Sequence, residues 1–211
     1  MTNQLFTHKF PEWQLDQALA EAAAETPGTF WHKEIVYSPT EPTTLLSLRH
    51  WFPTNRSLSL NHQRTFPVNA ATKYGIDDDL YKKNYWGLRP DFSIEADDMS
   101  VLILIESKGG KLDLRTWIDP KELRYFQFLV KSAIPASKGL LYIVPGIYRS
   151  ECERCLQTYF LSEPSIKVGL IVWEDLLEII HDKLMGIAVD YILTTVEGIK
   201  DLRTWQRTRR G

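Results

Sequence analysis

The first clear periodicity in the chain runs from Pro11 to Glu25, where Leu15, Leu19, Ala22 and Ala23 recur at helical spacing. Proline opens this stretch and Thr26-Pro27-Gly28 closes it, so a helix is predicted. From Phe30 to about Val68 the pattern changes. Glu34 to Tyr37, Thr43 to His50 and Ser57 to Leu60 are short β-favouring runs divided by Pro39, Pro42 and Pro53, which predicts strands and loops. Asn69 to Trp86 mixes polar and aromatic residues around Asp77, Asp78 and Asp79. It reads as a long surface loop or a short helix.

Sharper signals follow. Phe92 to Glu95 and Val101 to Ser107 read as two strands joined by a turn containing Asp97-Asp98. The second strand is apolar on both faces until Glu106, so it belongs in the middle of a sheet, covered on both sides. Gly109-Gly110 ends it. Pro120 to Lys131 reads as a helix with Leu123, Phe126, Leu129 and Val130 on one face, and Gly139 to Val144 as a strand stopped by Pro145-Gly146. Ser150 to Leu161 is a predicted helix, Val168 to Val172 a strand that completes the sheet, and Glu174 to Leu184 a final helix. This order predicts an α/β fold, with a mixed central sheet flanked by helices on both faces. A single domain over 1–211 is expected: a core over about 11–144, a C-terminal strand and helices over 150–200, and a basic tail over 201–211.

Composition narrows the options. Of 211 residues, 44% are hydrophobic and 25% charged, a balance that supports a buried core and excludes wholesale disorder. The formal net charge of −2 means that any nucleic-acid surface must be a local patch. Cys152 and Cys155 are the only cysteines; they are too few for an iron–sulfur cluster and have no second Cys or His pair for zinc. They read as reduced thiols on an amphipathic helix. The N-terminus lacks the apolar core of a signal peptide, and the longest purely apolar run, Val101 to Ile105, is too short to span a bilayer. A cytoplasmic protein without membrane association is expected.

The hairpin carries the candidate chemistry. If its turn centres between Asp98 and Met99, residue i on the first strand faces 197 − i on the second (98 + 99 = 197). That register sets Asp91 opposite Glu106, with Cβ atoms about 4.5–5.5 Å apart, and Lys108 projects from the same face as Glu106. Two carboxylates and an amine then meet at one end of a buried hairpin. Carboxylates are hard oxygen ligands suited to Mg²⁺, and the Ser107 carbonyl lies between the two side chains as a further candidate ligand. A lysine beside such a site can orient a water, help deprotonate it or stabilise developing negative charge.

Pro90-Asp91, fourteen intervening residues, and then Glu106-Ser107-Lys108 after Val-Leu-Ile-Leu-Ile resemble the motif of the PD-(D/E)XK nucleases. That superfamily includes restriction endonucleases, Holliday-junction resolvases and RecB-like exonucleases, and the resemblance spans about Pro11 to Val144. It implies a restriction-endonuclease-like α-β-β-β-α-β core, Mg²⁺ or Mn²⁺ dependence and DNA cleavage, with an endonuclease expected. Asp91 and Glu106 become metal ligands and Lys108 the catalytic lysine. It also adds Gln127 on the following helix, where RecB-like members carry glutamine, although the residue four positions on is Lys131 and not their tyrosine. Many members use an acid from the first helix, for which Glu21 and Glu25 are the candidates.

DNA is the expected partner. Lys73, Tyr74, Lys82, Lys83, Asn84, Tyr85, Trp86 and Arg89 lead into Asp91, interleaving basic and aromatic residues suited to a phosphate backbone and to base stacking. Lys111 and Arg115 extend that patch, and Arg203, Arg207, Arg209 and Arg210 form the basic tail. A homodimer or a partner protein remains open. Two rivals stand beside the nuclease: a catalytically silent nucleic-acid- or partner-binding module of the same fold, and a glycosidase with paired acids. The glycosidase leaves Lys108 without a role.

Overall fold

Seven consecutive buried residues, Val101–Ser107 (β5), form the strand that joins the antiparallel and parallel parts of the sheet. A computed structural model of the chain describes residues 10–39, 45–52, 56–63, 65–66, 69–109, 120–160 and 163–208. The other strands are β1 (Glu34–Tyr37), β2 (Leu45–Ser47), β3 (Leu58–His62), β4 (Phe92–Ala96), β6 (Ser137–Val144) and β7 (Ile166–Val172). They make one mixed seven-stranded sheet in the order β2-β1-β7-β6-β5-β4-β3. β4 runs antiparallel to both β3 and β5, while β5, β6 and β7 run parallel. The paired residues of β4 and β5, from Phe92↔Ile105 to Glu95↔Leu102, each sum to 197, the register anticipated from the turn.

Helices cover both faces. On one side, α1 (Glu12–Glu25), α2 (Pro27–His32), α3 (Leu48–Trp51) and the start of α8 (Trp173–Thr208) pack on Phe92, Ile94, Ile103, Ile105, Leu141, Ile143 and Ile171. On the other, α4 (Ala70–Tyr74), α5 (Asp78–Asn84), α6 (Pro120–Lys131) and α7 (Arg149–Phe160) enclose Leu102, Leu104, Leu140, Tyr142, Val144, Leu170 and Val172. Strand alternation sorts these two sets, odd residues of β5 facing α1 and even residues facing α6. Among the described residues no helix is long and apolar enough to cross a membrane.

Three local expectations change. The run Thr43 to His50 does not continue as a strand, because the Ser47 hydroxyl accepts from the His50 amide (3.1 Å) and starts α3. That is an N-cap, which competes with strand pairing. Asn69 to Trp86 holds two helices, broken at Gly75 and restarted by Asp77, whose side chain accepts from the Leu80 amide at 2.9 Å. Finally, α8 runs on to Thr208, so Arg203 and Arg207 lie on a helix and not in a separate tail, while Arg209 and Arg210 lie outside the described residues.

Candidate active site

The parallel strands β5, β6 and β7 place their carboxyl ends at one edge of the sheet, and antiparallel β4 begins there, just after Asp91. Such carboxyl ends are where open α/β sheets bind ligands. The backbone at Lys108 is held from both sides: its N–H donates to Ile143 O (2.7 Å) and its carbonyl accepts from Trp173 Nε1 (2.8 Å). Lys108 Nζ donates to Glu106 Oε1 at 2.8 Å, and both side chains are largely enclosed (18% and 4% exposed).

Asp91 turns toward Ser107. Its Oδ2 accepts from the Ser107 amide (2.8 Å) and the Ser107 hydroxyl (3.2 Å). The same hydroxyl reaches Asp16 Oδ1 on α1 at 2.5 Å, so Ser107 links strand and helix carboxylates. Each of Glu12, Asp16 and Asp91 offers an oxygen, and these oxygens lie within 4.8 Å of one another. Glu106 is not in that group of three, although its charge is felt at Asp16.

Asp16 is strongly perturbed. Burial, with the nearby charges of Asp91, Glu12 and Glu106, pushes its carboxyl up to about 8 against the opposing Ser107 hydrogen bond. Desolvation disfavours the charged form and the neighbouring carboxylates add to it. α1 can come this close because residue 109 is glycine. A Cβ there would lie 2.5 Å from Glu12 Cα, and the Gly109 amide donates to Glu12 Oε2 at 3.2 Å.

Glu12 and Asp16 were not foreseen. Glu21 and Glu25, the first-helix acids expected from the resemblance, engage Gln17 (2.9 Å) and Lys183 instead. A signal did exist: Asp16, Leu19 and Ala23 share one helical stripe, so a carboxylate occupies a core position, and it is 2% exposed. Gln127 is exposed and lines a depression with Tyr85, Phe126, Val130, Lys131 and Glu163. The structure does not bring it to Asp91. Its helix contributes Arg124 to the Asp91 pocket instead. Ser107 meets the acids through its amide and hydroxyl, as a donor.

The basic patch divides. Lys73 serves the interior, bonding Glu95 Oε2 at 2.6 Å beside the Tyr74 hydroxyl (2.8 Å to Oε1), and Lys82 pairs with Asp78 one turn away. Lys83 is exposed, as is Trp86 (60%), and Arg89 lines the Asp91 pocket. Lys111 and Arg115 lie outside the described residues. The two cysteines are free, and burial pushes the Cys152 thiol up to about 12, far from a reactive thiolate. Comparison with protein-family models and with curated protein sequences gives no match to this chain.

Proposed function

We propose that the protein is a metal-dependent nuclease that hydrolyses DNA phosphodiester bonds at the shared end of β4 and β5. The observation that carries this reading is the convergence of Glu12, Asp16 and Asp91 within 4.8 Å, with Glu106, the partner of Lys108, near enough for its charge to act on Asp16. The order α1, β3, β4, β5, α6, β6 supports a restriction-endonuclease-like α-β-β-β-α-β core, with β1, β2 and α2 to α5 as additions.

The donor set suits Mg²⁺ or Mn²⁺. Oxygens held at about 2.1 Å from Mg²⁺ are at most about 4.2 Å apart, so closing a cluster of 4.8 Å needs only small side-chain movements. Asp91, Asp16 and Glu12 would hold the ion, with Glu106 and the Ser107 carbonyl as further candidates. When bound, the ion supplies Lewis-acid polarisation of the phosphate and lowers the pKa of water.

The chain's own residues do the rest. Ser107 fixes the Asp91 and Asp16 carboxylates by hydrogen bonds before any ligand arrives. Glu106 holds the Lys108 ammonium at the strand end, where it can steady a nucleophilic water or the charge developing on phosphate. Trp173 and Ile143 pin the Lys108 backbone, so the amine is aimed from a rigid strand.

The test is incubation with linear and circular DNA in Mg²⁺, Mn²⁺ or EDTA. Cleavage in either metal, absent in EDTA and lost in Asp91→Asn, Glu106→Gln and Lys108→Ala, supports the reading. DNA binding without cleavage in any divalent metal favours the silent module, and full activity of Lys108→Ala contradicts the assignment.

A further inference from the structure

A pocket of about 350 Å³ opens on Asp91 and is lined by Gln63, Gly87, Leu88, Arg89 and Arg124. Its lining brings together two arginines from separate parts of the chain and one acid of the candidate centre. Their meeting is built in, not incidental. Tyr125 Oη, buried on α6, donates to Arg89 O at 2.8 Å, tying the helix that carries Arg124 to the segment that carries Arg89. Gly87 adopts φ +75°, a left-handed turn that suits glycine and leads the chain from the end of α5 into that segment.

The charge balance of the pocket is telling. Arg124 Nε and Nη2 donate to Asn84 O (Nε at 2.8 Å), a carbonyl left over at the end of α5. Arg89 Nε and Nη2 donate to Gln63 O (3.2 Å) and Gln63 Oε1 (2.7 Å). Among the described residues, both guanidinium groups therefore bond neutral oxygens, and each retains N–H donors from its five. Among the described residues neither arginine has a carboxylate partner and one acid lines the pocket with them, so the pocket is short of negative charge. Arginine is the side chain best matched to phosphate, which its planar fork can bind at two oxygens.

We propose that Arg89 and Arg124 form a clamp for a backbone phosphate of the nucleic acid, next to the scissile position. The proposal rests on the nuclease reading for its substrate. It makes both arginines positioning residues: they hold a phosphate adjacent to Asp91 and take no part in bond breaking.

The experiment measures anisotropy of a fluorescein-labelled single-stranded 12-nucleotide DNA and its duplex in EDTA, across a salt series. Wild type is compared with Arg89→Gln, Arg124→Gln and Arg124→Lys. Among the described residues the exposed Arg89 side chain bonds only Gln63, so Arg89→Gln keeps the test valid if loss of the Asn84 bond unfolds Arg124→Gln. Each Gln variant is expected to weaken binding roughly tenfold and to reduce the slope of log K against log salt by about 0.7 for the single strand or about 0.9 for the duplex. Arg124→Lys is expected to keep the slope while binding less tightly. In cleavage assays the Gln variants are expected to raise KM and leave kcat near wild type.

Unchanged affinity and slope in both Gln variants, with wild type still cleaving, overturns the clamp and leaves the nuclease. Loss of binding in the variants of a protein that never cleaves supports the clamp and overturns the nuclease. A wild type that neither binds nor cleaves overturns both.

Discussion

Replacing Asp16 by asparagine is expected to make the metal-free protein more stable, by an amount that grows with pH. The Asp16 carboxyl is raised to about 8 in the folded chain from an ordinary value of 3.8. Below about pH 4 both folded and unfolded chains hold the proton, and no penalty exists. Between about 4 and 8 the unfolded chain releases it while the folded chain retains it, so stability falls by about 1.4 kcal/mol per pH unit. At pH 7 the accumulated cost is on the order of 4 kcal/mol. The asparagine side chain carries no charge at any of these values, can still accept from Ser107 Oγ, and offers an amide to Asp91. For a chain of this size each kcal/mol corresponds to about 2–4 °C in Tm, so roughly 10 °C separates the two proteins at pH 7. The assay is thermal and urea denaturation of wild type and Asp16→Asn in EDTA from pH 4.5 to 8. Equal stability at pH 7.5, or a gap that does not widen with pH, would refute the reasoning. Added Mg²⁺ narrows the gap if wild type binds it more tightly than the variant.

Gly109→Ala forces a Cβ into the start of α1, 2.5 Å from Glu12 Cα. Far-ultraviolet circular dichroism is expected to remain native while kcat falls about a hundredfold, the usual cost of misplacing catalytic groups by about 1 Å. Lys73→Ala removes the cation at buried Glu95 and is expected to cost about 3 kcal/mol in urea denaturation, with DNA affinity unchanged. In native protein at pH 8, a thiol reagent is expected to label Cys155 and spare Cys152, whose thiol burial holds near 12; denaturation exposes both, and mass spectrometry of peptides distinguishes them.

How much was legible differs from residue to residue. The hairpin was readable because Val101 to Ile105 has no polar face and because its turn fixes a register; those two features set every pair of β4 and β5. The split of Thr43 to His50 was not, since it depends on one hydroxyl, Ser47, choosing a cap over a strand. Asp16 was visible in principle as an acid inside an apolar stripe, yet acids near the start of a helix ordinarily complement its dipole, which hides a buried one. Glu25 shows the converse. It sits thirteen residues beyond Glu12, about 20 Å along the axis, so an acid on the right helix is carried to the wrong end. Arg124 could not be found from spacing, because only the packing of α6 against the sheet decides that it, and not Gln127, opens into the Asp91 pocket.

The most direct measurement is a Mn²⁺ titration of the purified protein, followed by the electron paramagnetic resonance signal of the free ion. A saturable site in wild type, abolished in Asp91→Asn and weakened in Asp16→Asn and Glu12→Gln, is the predicted result. Wild type that takes up no Mn²⁺, or all three variants binding it as wild type does, would contradict a metal held by Glu12, Asp16 and Asp91.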